Sequence, residues 1–171
     1  MILALALVAL AFVPMLAETW KSSTNERALR AAGAVEPPDD VYGLMQIAYP
    51  ASFLAMMLEA WLRGRSWPVR TAAAGAAIFV AAKALKYWAI ATLGPRWTFR
   101  VLVPPKSGIT RGGPYRFLRH PNYVGVLGEL LGYSLLAGAP VAGIAALVGF
   151  GWLLLARIRV EERALGVRRW V

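Results

Sequence analysis

Long uncharged runs alternate with short polar stretches along this chain. Five apolar segments stand out, at residues 1–17, 41–62, 69–92, 123–136 and 141–156. They cluster around the ~20 residues needed to cross a bilayer core as a helix. The pattern therefore predicts an all-α integral membrane protein with five transmembrane helices in one domain. The first segment lacks the basic start of a signal peptide, so it is expected to be a first membrane helix. Pro50 lies inside the second segment and predicts a kink there. Gly138-Ala139-Pro140 separates the last two segments, which predicts a tight C-terminal helical hairpin. Each arm is near the lower length limit, so the hairpin is expected to tilt or to stop short of the far face. Ala- and Gly-rich stretches such as 72–77 are expected to let helices pack closely.

Composition agrees with this picture and adds sidedness. Of 171 residues, 58% are hydrophobic and 16% charged, where a soluble domain carries about a quarter charged. The formal net charge is +10, from 19 Lys and Arg against 9 Asp and Glu. In a soluble protein that excess would suggest nucleic acid. Here the basic residues fall between apolar runs, where topology signals and anionic lipid contacts belong. Lys21, Arg27 and Arg30 follow the first segment, and Arg96, Arg100, Lys106, Arg111, Arg116 and Arg119 follow the third. Arg157, Arg159, Arg163, Arg168 and Arg169 make up the tail. With five spans these three stretches share one face, and the other face has only Arg63, Arg65 and Arg70. The positive-inside rule then places the N-terminus outside and the C-terminus in the cytosol. The absence of Cys excludes disulfides and thiolate chemistry, and the single histidine, His120, excludes a histidine metal cluster.

Residues 18–40 are expected to form a separate amphipathic helix or structured loop. Thr24 or Asn25 would cap it, Gly33 would end it, and Pro37-Pro38 would stop any continuation. Glu129, inside the fourth segment, is either a functional contact or half of a buried pair with Lys83 or Lys86. Lys86 is expected to snorkel to the cytosolic interface, and Glu59 to be interfacial at the outer end. Trp61 and Trp67 fit an aromatic belt.

The chemistry is expected in residues 93–123, a Pro- and Gly-rich stretch with six basic side chains and no acidic one. A loop of that length in a small protein is functional or disordered, and its aromatics Trp97, Phe99, Tyr115, Phe117 and Tyr123 argue against disorder. GGPYRFLRHPNYVG (112–125), followed by RIRVEERAL (157–165), resembles the paired motifs of the isoprenylcysteine carboxyl methyltransferase family. In that family RHPxYxG precedes a helical hairpin and a Glu-Glu pair follows it. LGPRWT (93–98) is similar to a segment ahead of that signature, and the resemblance covers roughly 85–165. STNERALRAAGAVE (23–36) resembles a stretch in bacterial relatives that methylate alkylpyrone-type lipids.

The resemblance implies S-adenosylmethionine as cofactor, in a cytosolic pocket beneath the hairpin. Residues 1–92 would supply three helices, and 93–171 the cofactor-binding and catalytic half. Tyr115, Arg119, His120, Pro121, Tyr123 and Glu162 are the implied cofactor residues. Arg157 and Glu161, four apart on one helix face, are the implied catalytic residues beside the methyl acceptor. Arg157 would orient a carboxylate acceptor, whereas Glu161 or His120 would deprotonate a phenol or enol. The partner is a lipophilic, membrane-partitioned substrate, and the expected location is a bacterial inner membrane. The chain stops at Val171, short of the aromatic-rich extension of eukaryotic members, so closure of the pocket is expected to be simpler or to come from other segments. Phospholipid N-methyltransferases and nicotinamide-dependent sterol reductases are similar in the same region, and a non-catalytic membrane scaffold is the alternative of a different class.

Overall fold

The computed structural model describes residues 2–64, 67–105 and 110–166. The sidedness argument therefore rests in part on Arg65, Lys106, Arg168 and Arg169, which lie outside the described residues. Five α-helices run in order: α1 (Ile2–Ala31), α2 (Tyr42–Arg63), α3 (Val69–Leu93), α4 (Pro121–Ala137) and α5 (Pro140–Ala164). Between α3 and α4 lie two short 3₁₀ turns, Gly94–Arg96 and Gly113–Arg116. Among the described residues the one β-type pairing is an isolated antiparallel bridge between Val35 and Val103. Among the described residues three helical stretches are long and apolar enough to cross a membrane: Leu5–Ala31, Val69–Arg96 and Pro140–Ala164. With 17 residues, α4 is only ~25 Å long at 1.5 Å per residue, shorter than a bilayer core of ~30 Å.

The first helix departs from expectation. It is continuous to Ala31, with Pro14 inside it, so residues 18–31 do not form a separate helix. Thr24 and Asn25 are not caps. Thr24 Oγ1 donates back to Trp20 O at 3.0 Å, and Asn25 Nδ2 donates to Gly94 O at 3.1 Å and Trp97 O at 2.7 Å. Nothing in 18–31 breaks a helix, and the side chains that would compete with the backbone have other partners. The helix ends where Gly33 takes a positive φ of 85°, a conformation open to glycine.

The tightest packing joins α3 to α4 along a seam of small residues. A Cβ built on Gly132 would lie 2.5 Å from Phe79 N, and one on Gly75 would lie 2.4 Å from Leu136 N. Gly128 presses on Ala82 in the same way. Such close backbone approach supplies van der Waals contact where lipid offers no hydrophobic drive. An aromatic column continues the core, with Phe53 edge-on to both Tyr49 (5.1 Å) and Tyr133 (4.9 Å).

The hairpin between α4 and α5 follows its sequence. Gly138 is left-handed at φ 73°, ψ 38°, and Pro140 opens α5. Ser134 Oγ donates to Ala139 O at 2.9 Å across the turn. Glu59 from the last turns of α2 and Trp67 from the α2–α3 loop brace it. Glu59 accepts from the exposed amides of Val141 (3.2 Å) and Ala142 (2.6 Å), at the positive end of α5. Trp67 Nε1 donates to Leu135 O at 2.7 Å, so Trp67 turns inward to the hairpin, while Trp61 stays exposed.

Candidate functional site

The turn to α4 and the end of α5 meet at one end of the bundle. His120 is the N-cap of α4, and the buried Pro121 is its first residue, the position where a fixed φ and a missing N–H cost nothing. One turn later Tyr123 points at α5. Its hydroxyl donates to Glu161 Oε2 at 2.6 Å and accepts from Arg157 Nε at 3.1 Å. The His120 and Tyr123 rings stack at 5.4 Å, inclined by 13°. His120 Nε2 lies 3.4 Å from Glu162 Oε1, and Nδ1 lies 3.8 Å from Glu161 Oε2. Residues about forty positions apart thus form one polar cluster. Arg157 and Glu161, expected to share a helix face, are bridged by the Tyr123 hydroxyl.

A second group completes the cluster, and sequence reasoning did not find it. Arg157 Nη1 donates to Asp40 Oδ1 at 2.6 Å, and Nη2 donates to Phe99 O. The Asp40 and Arg157 side chains are only 4% and 5% exposed. Residues 94–103 cross this region as a strap, pinned by the charged end of α1. Ser22 Oγ accepts from Phe99 N at 2.8 Å, and Asn25 holds the carbonyls of Gly94 and Trp97. Arg100 meets Glu36 at 2.7 Å and Glu26 at 3.5 Å, with its guanidinium 4.6 Å from the Tyr42 ring. Burial raises the Glu36 carboxyl, but hydrogen bonds from Arg30 and Arg100 outweigh it and hold the group below its ordinary value.

Strap and helices enclose a cavity of about 380 Å³, within the range of small-molecule sites. Its polar end has Tyr115, His120, Tyr123, Arg157 and Glu161, with Trp97 and Phe99 alongside. The rest of its wall is mainly apolar, with Met15, Met45, Pro50, Val126, Phe150 and Leu154 beside Gln46, Tyr49 and Lys86. Burial and then the Glu161 charge raise the Tyr115 phenol well above its ordinary value. Glu162 is close behind His120 but is not part of the cavity wall, nor is Pro121. Arg119 is half exposed and reaches Glu162 only at 3.9 Å.

Deeper in the bundle, Glu129 has both of its expected partners and one that was not foreseen. Lys83 Nζ is 2.9 Å from both Glu18 and Glu129. Lys86 Nζ is 2.6 Å from Glu18 and 3.3 Å from Glu129. Tyr49 donates its hydroxyl to Glu129. Lys86 is 2% exposed, so it does not snorkel. Two cations and two anions, one from α1, one from α4 and two from α3, make a neutral tetrad that needs no water. The clue in sequence was Glu18, a carboxylate ending a long apolar run.

Residues 75–167 match the model of the isoprenylcysteine carboxyl methyltransferase (ICMT) family. Two curated relatives are similar over most of their length. An uncharacterized protein of Bacillus subtilis (strain 168), YpbQ, is 31% identical over 162 residues, covering 93% of this chain and 94% of the relative. An uncharacterized protein of Haemophilus influenzae is 32% identical over 145 residues, covering 84% of each. No solved structure matches the chain.

Proposed function

Because the chain belongs to the isoprenylcysteine carboxyl methyltransferase family, we propose that it transfers a methyl group from S-adenosylmethionine to an oxygen of a lipophilic acceptor. The observation that carries this reading is the cavity wall, polar and charged beside the last turns of α5 and mainly apolar farther into the bundle. The cofactor fits the polar end by chemistry. Aromatic faces suit an adenine and a sulfonium, and the Glu161 carboxylate suits hydroxyls, an amine or a positive charge. When bound, it supplies an electrophilic methyl on a sulfonium cation.

Tyr115, His120 and Tyr123 would hold the cofactor, with Glu162 and Arg119 closing the site from behind and Pro121 fixing the turn. Arg157 and Glu161 would face the acceptor. Arg157 has five N–H donors, and Asp40, Phe99 and Tyr123 use one each. Donors therefore remain for an oxygen in the cavity. Methyl transfer is an in-line displacement, so holding the two reactants in line supplies most of the rate.

A hydroxyl acceptor is favoured over a carboxylate because the arginine beside Glu161 is already paired. Asp40 already offsets Arg157, and Glu161 and Glu162 add negative charge around His120. A phenol or enol enters this field neutral and gives its proton to Glu161, or to His120, as its oxygen attacks. The likeness of 23–36 to relatives acting on alkylpyrone-type lipids points the same way. Placement in the membrane follows from the substrates. Five spans, with the N-terminus outside and the polar end of the cavity in the cytosol of a bacterial inner membrane, would let the acceptor arrive from lipid and the cofactor from water.

The test is transfer of labelled methyl from S-adenosylmethionine to a membrane lipid extract, with the product identified by mass. We expect a single lipid class carrying a base-stable O-methyl ether. A base-labile ester would make the acceptor a carboxylate, an N-methyl product would favour a phospholipid amine, and no labelled lipid would overturn the reading.

A further inference from the structure

We propose that Asp40 is a positioning residue for the transfer, holding Arg157 and the 99–101 strap in register along the cavity wall. This inference rests on the methyltransferase reading and deepens it. Asp40 lies in the loop between α1 and α2, yet its side chain is buried. Both of its oxygens are used. Oδ1 accepts from Arg157 Nη1 at 2.6 Å and from the Tyr42 amide at 3.1 Å, and Oδ2 accepts from the Val101 amide at 2.9 Å. Two segments far away in sequence, the strap and α5, converge on this one carboxylate.

Arginine and carboxylate grip the strap from both sides of its backbone. Arg157 Nη2 donates to the Phe99 carbonyl, while Asp40 takes the Val101 amide two residues on. The remaining arginine nitrogen, Nε, meets the Tyr123 hydroxyl, which in turn donates to Glu161. Asp40 therefore sets the position of the Tyr123–Glu161 pair through the guanidinium.

What Asp40 prevents matters as much. Arg157 and Glu161 are four apart on α5 and free to form an ordinary helical ion pair. A buried guanidinium without Asp40 would seek the next carboxylate for compensation, and Glu161 is on its own face. That pairing would remove Glu161 as a proton acceptor and draw Arg157 off the strap. With Asp40 in place, Glu161 meets Arg157 only through a hydroxyl.

The experiment uses the full chain in lipid nanodiscs, with three readouts: hydrogen exchange at residues 99–103, affinity for S-adenosylhomocysteine, and turnover on the labelled lipid extract. In Asp40→Asn the strap amides should exchange faster and kcat should fall at least about tenfold, while the S-adenosylhomocysteine Kd stays within about threefold. Asp40→Glu, which keeps the charge, should recover part of the turnover. Asp40→Asn combined with Arg157→Gln should be no worse than Arg157→Gln alone, as expected for residues acting as a unit. Unchanged exchange at 99–103 in Asp40→Asn would overturn the proposal. So would additive losses in the double variant with binding and turnover falling together, the signature of general destabilisation. A wild-type protein that neither binds S-adenosylhomocysteine nor labels lipid would instead sink the methyltransferase reading, and the exchange data would still decide whether Asp40 holds the strap.

Discussion

Tyr123 is the hinge of the site at the scale of single residues, because one hydroxyl serves both a cation and an anion. It accepts from Arg157 and donates to Glu161. Removing it leaves two charged groups without a partner they were folded around, which costs more than the bond itself. Tyr123→Phe keeps the ring that stacks on His120. Affinity for S-adenosylhomocysteine should therefore change little, whereas methyl transfer should slow by about 10- to 100-fold in steady-state assays. A variant with full turnover would remove the bridge from the account. The residues of this cluster divide by how far away their partners lie. Tyr123, His120 and the two glutamates were legible because they fall in two compact motifs. Asp40 was not, since its partner Arg157 lies at the far end of the chain and PPDD reads locally as a loop.

The same division holds for whole elements. The α4–α5 hairpin was legible from Gly138-Ala139-Pro140, because a left-handed glycine and a proline at a helix start are local devices. The length of α1 was not. Polarity changes at Glu18, which looked like the end of a span, but helix-forming residues continue to Ala31. The polar third of α1 is a dock for the strap, a role that appears only when Ser22, Asn25 and Glu26 meet residues from beyond α3. The α3–α4 seam explains why the Ala- and Gly-rich stretches sit where they do. At Gly132 an added side chain would run into the Phe79 backbone, which cannot yield as a flexible side chain could. Gly132→Val should push α3 and α4 apart and lower the thermal midpoint, with a loss of several kcal/mol or failure to fold. Gly149, where a Cβ meets nothing within 4 Å, is the control, and Gly149→Ala should fold like the wild type.

At the scale of the whole molecule, charge is sorted by depth. The interior tetrad of Glu18, Lys83, Lys86 and Glu129 is neutral and ties three helices together in a region lipid cannot hydrate. At the polar end of the cavity Glu161 meets Arg157 and His120, with Asp40 behind Arg157 and Glu162 behind His120, in a chain whose net charge is +10. Membership of the methyltransferase family, a mainly apolar cavity wall and three helices able to cross a membrane fit one water-soluble and one lipid-soluble substrate meeting at a bilayer face. On the proposed reading the histidine turn and Glu161 hold the methyl donor, and Glu162 fixes His120 from behind. Isothermal titration of S-adenosylhomocysteine into the full chain and into Glu162→Ala tests it most directly. The account predicts saturable binding to the wild type and its loss in Glu162→Ala, whereas equal affinity in the two proteins, or none in the wild type, would contradict it.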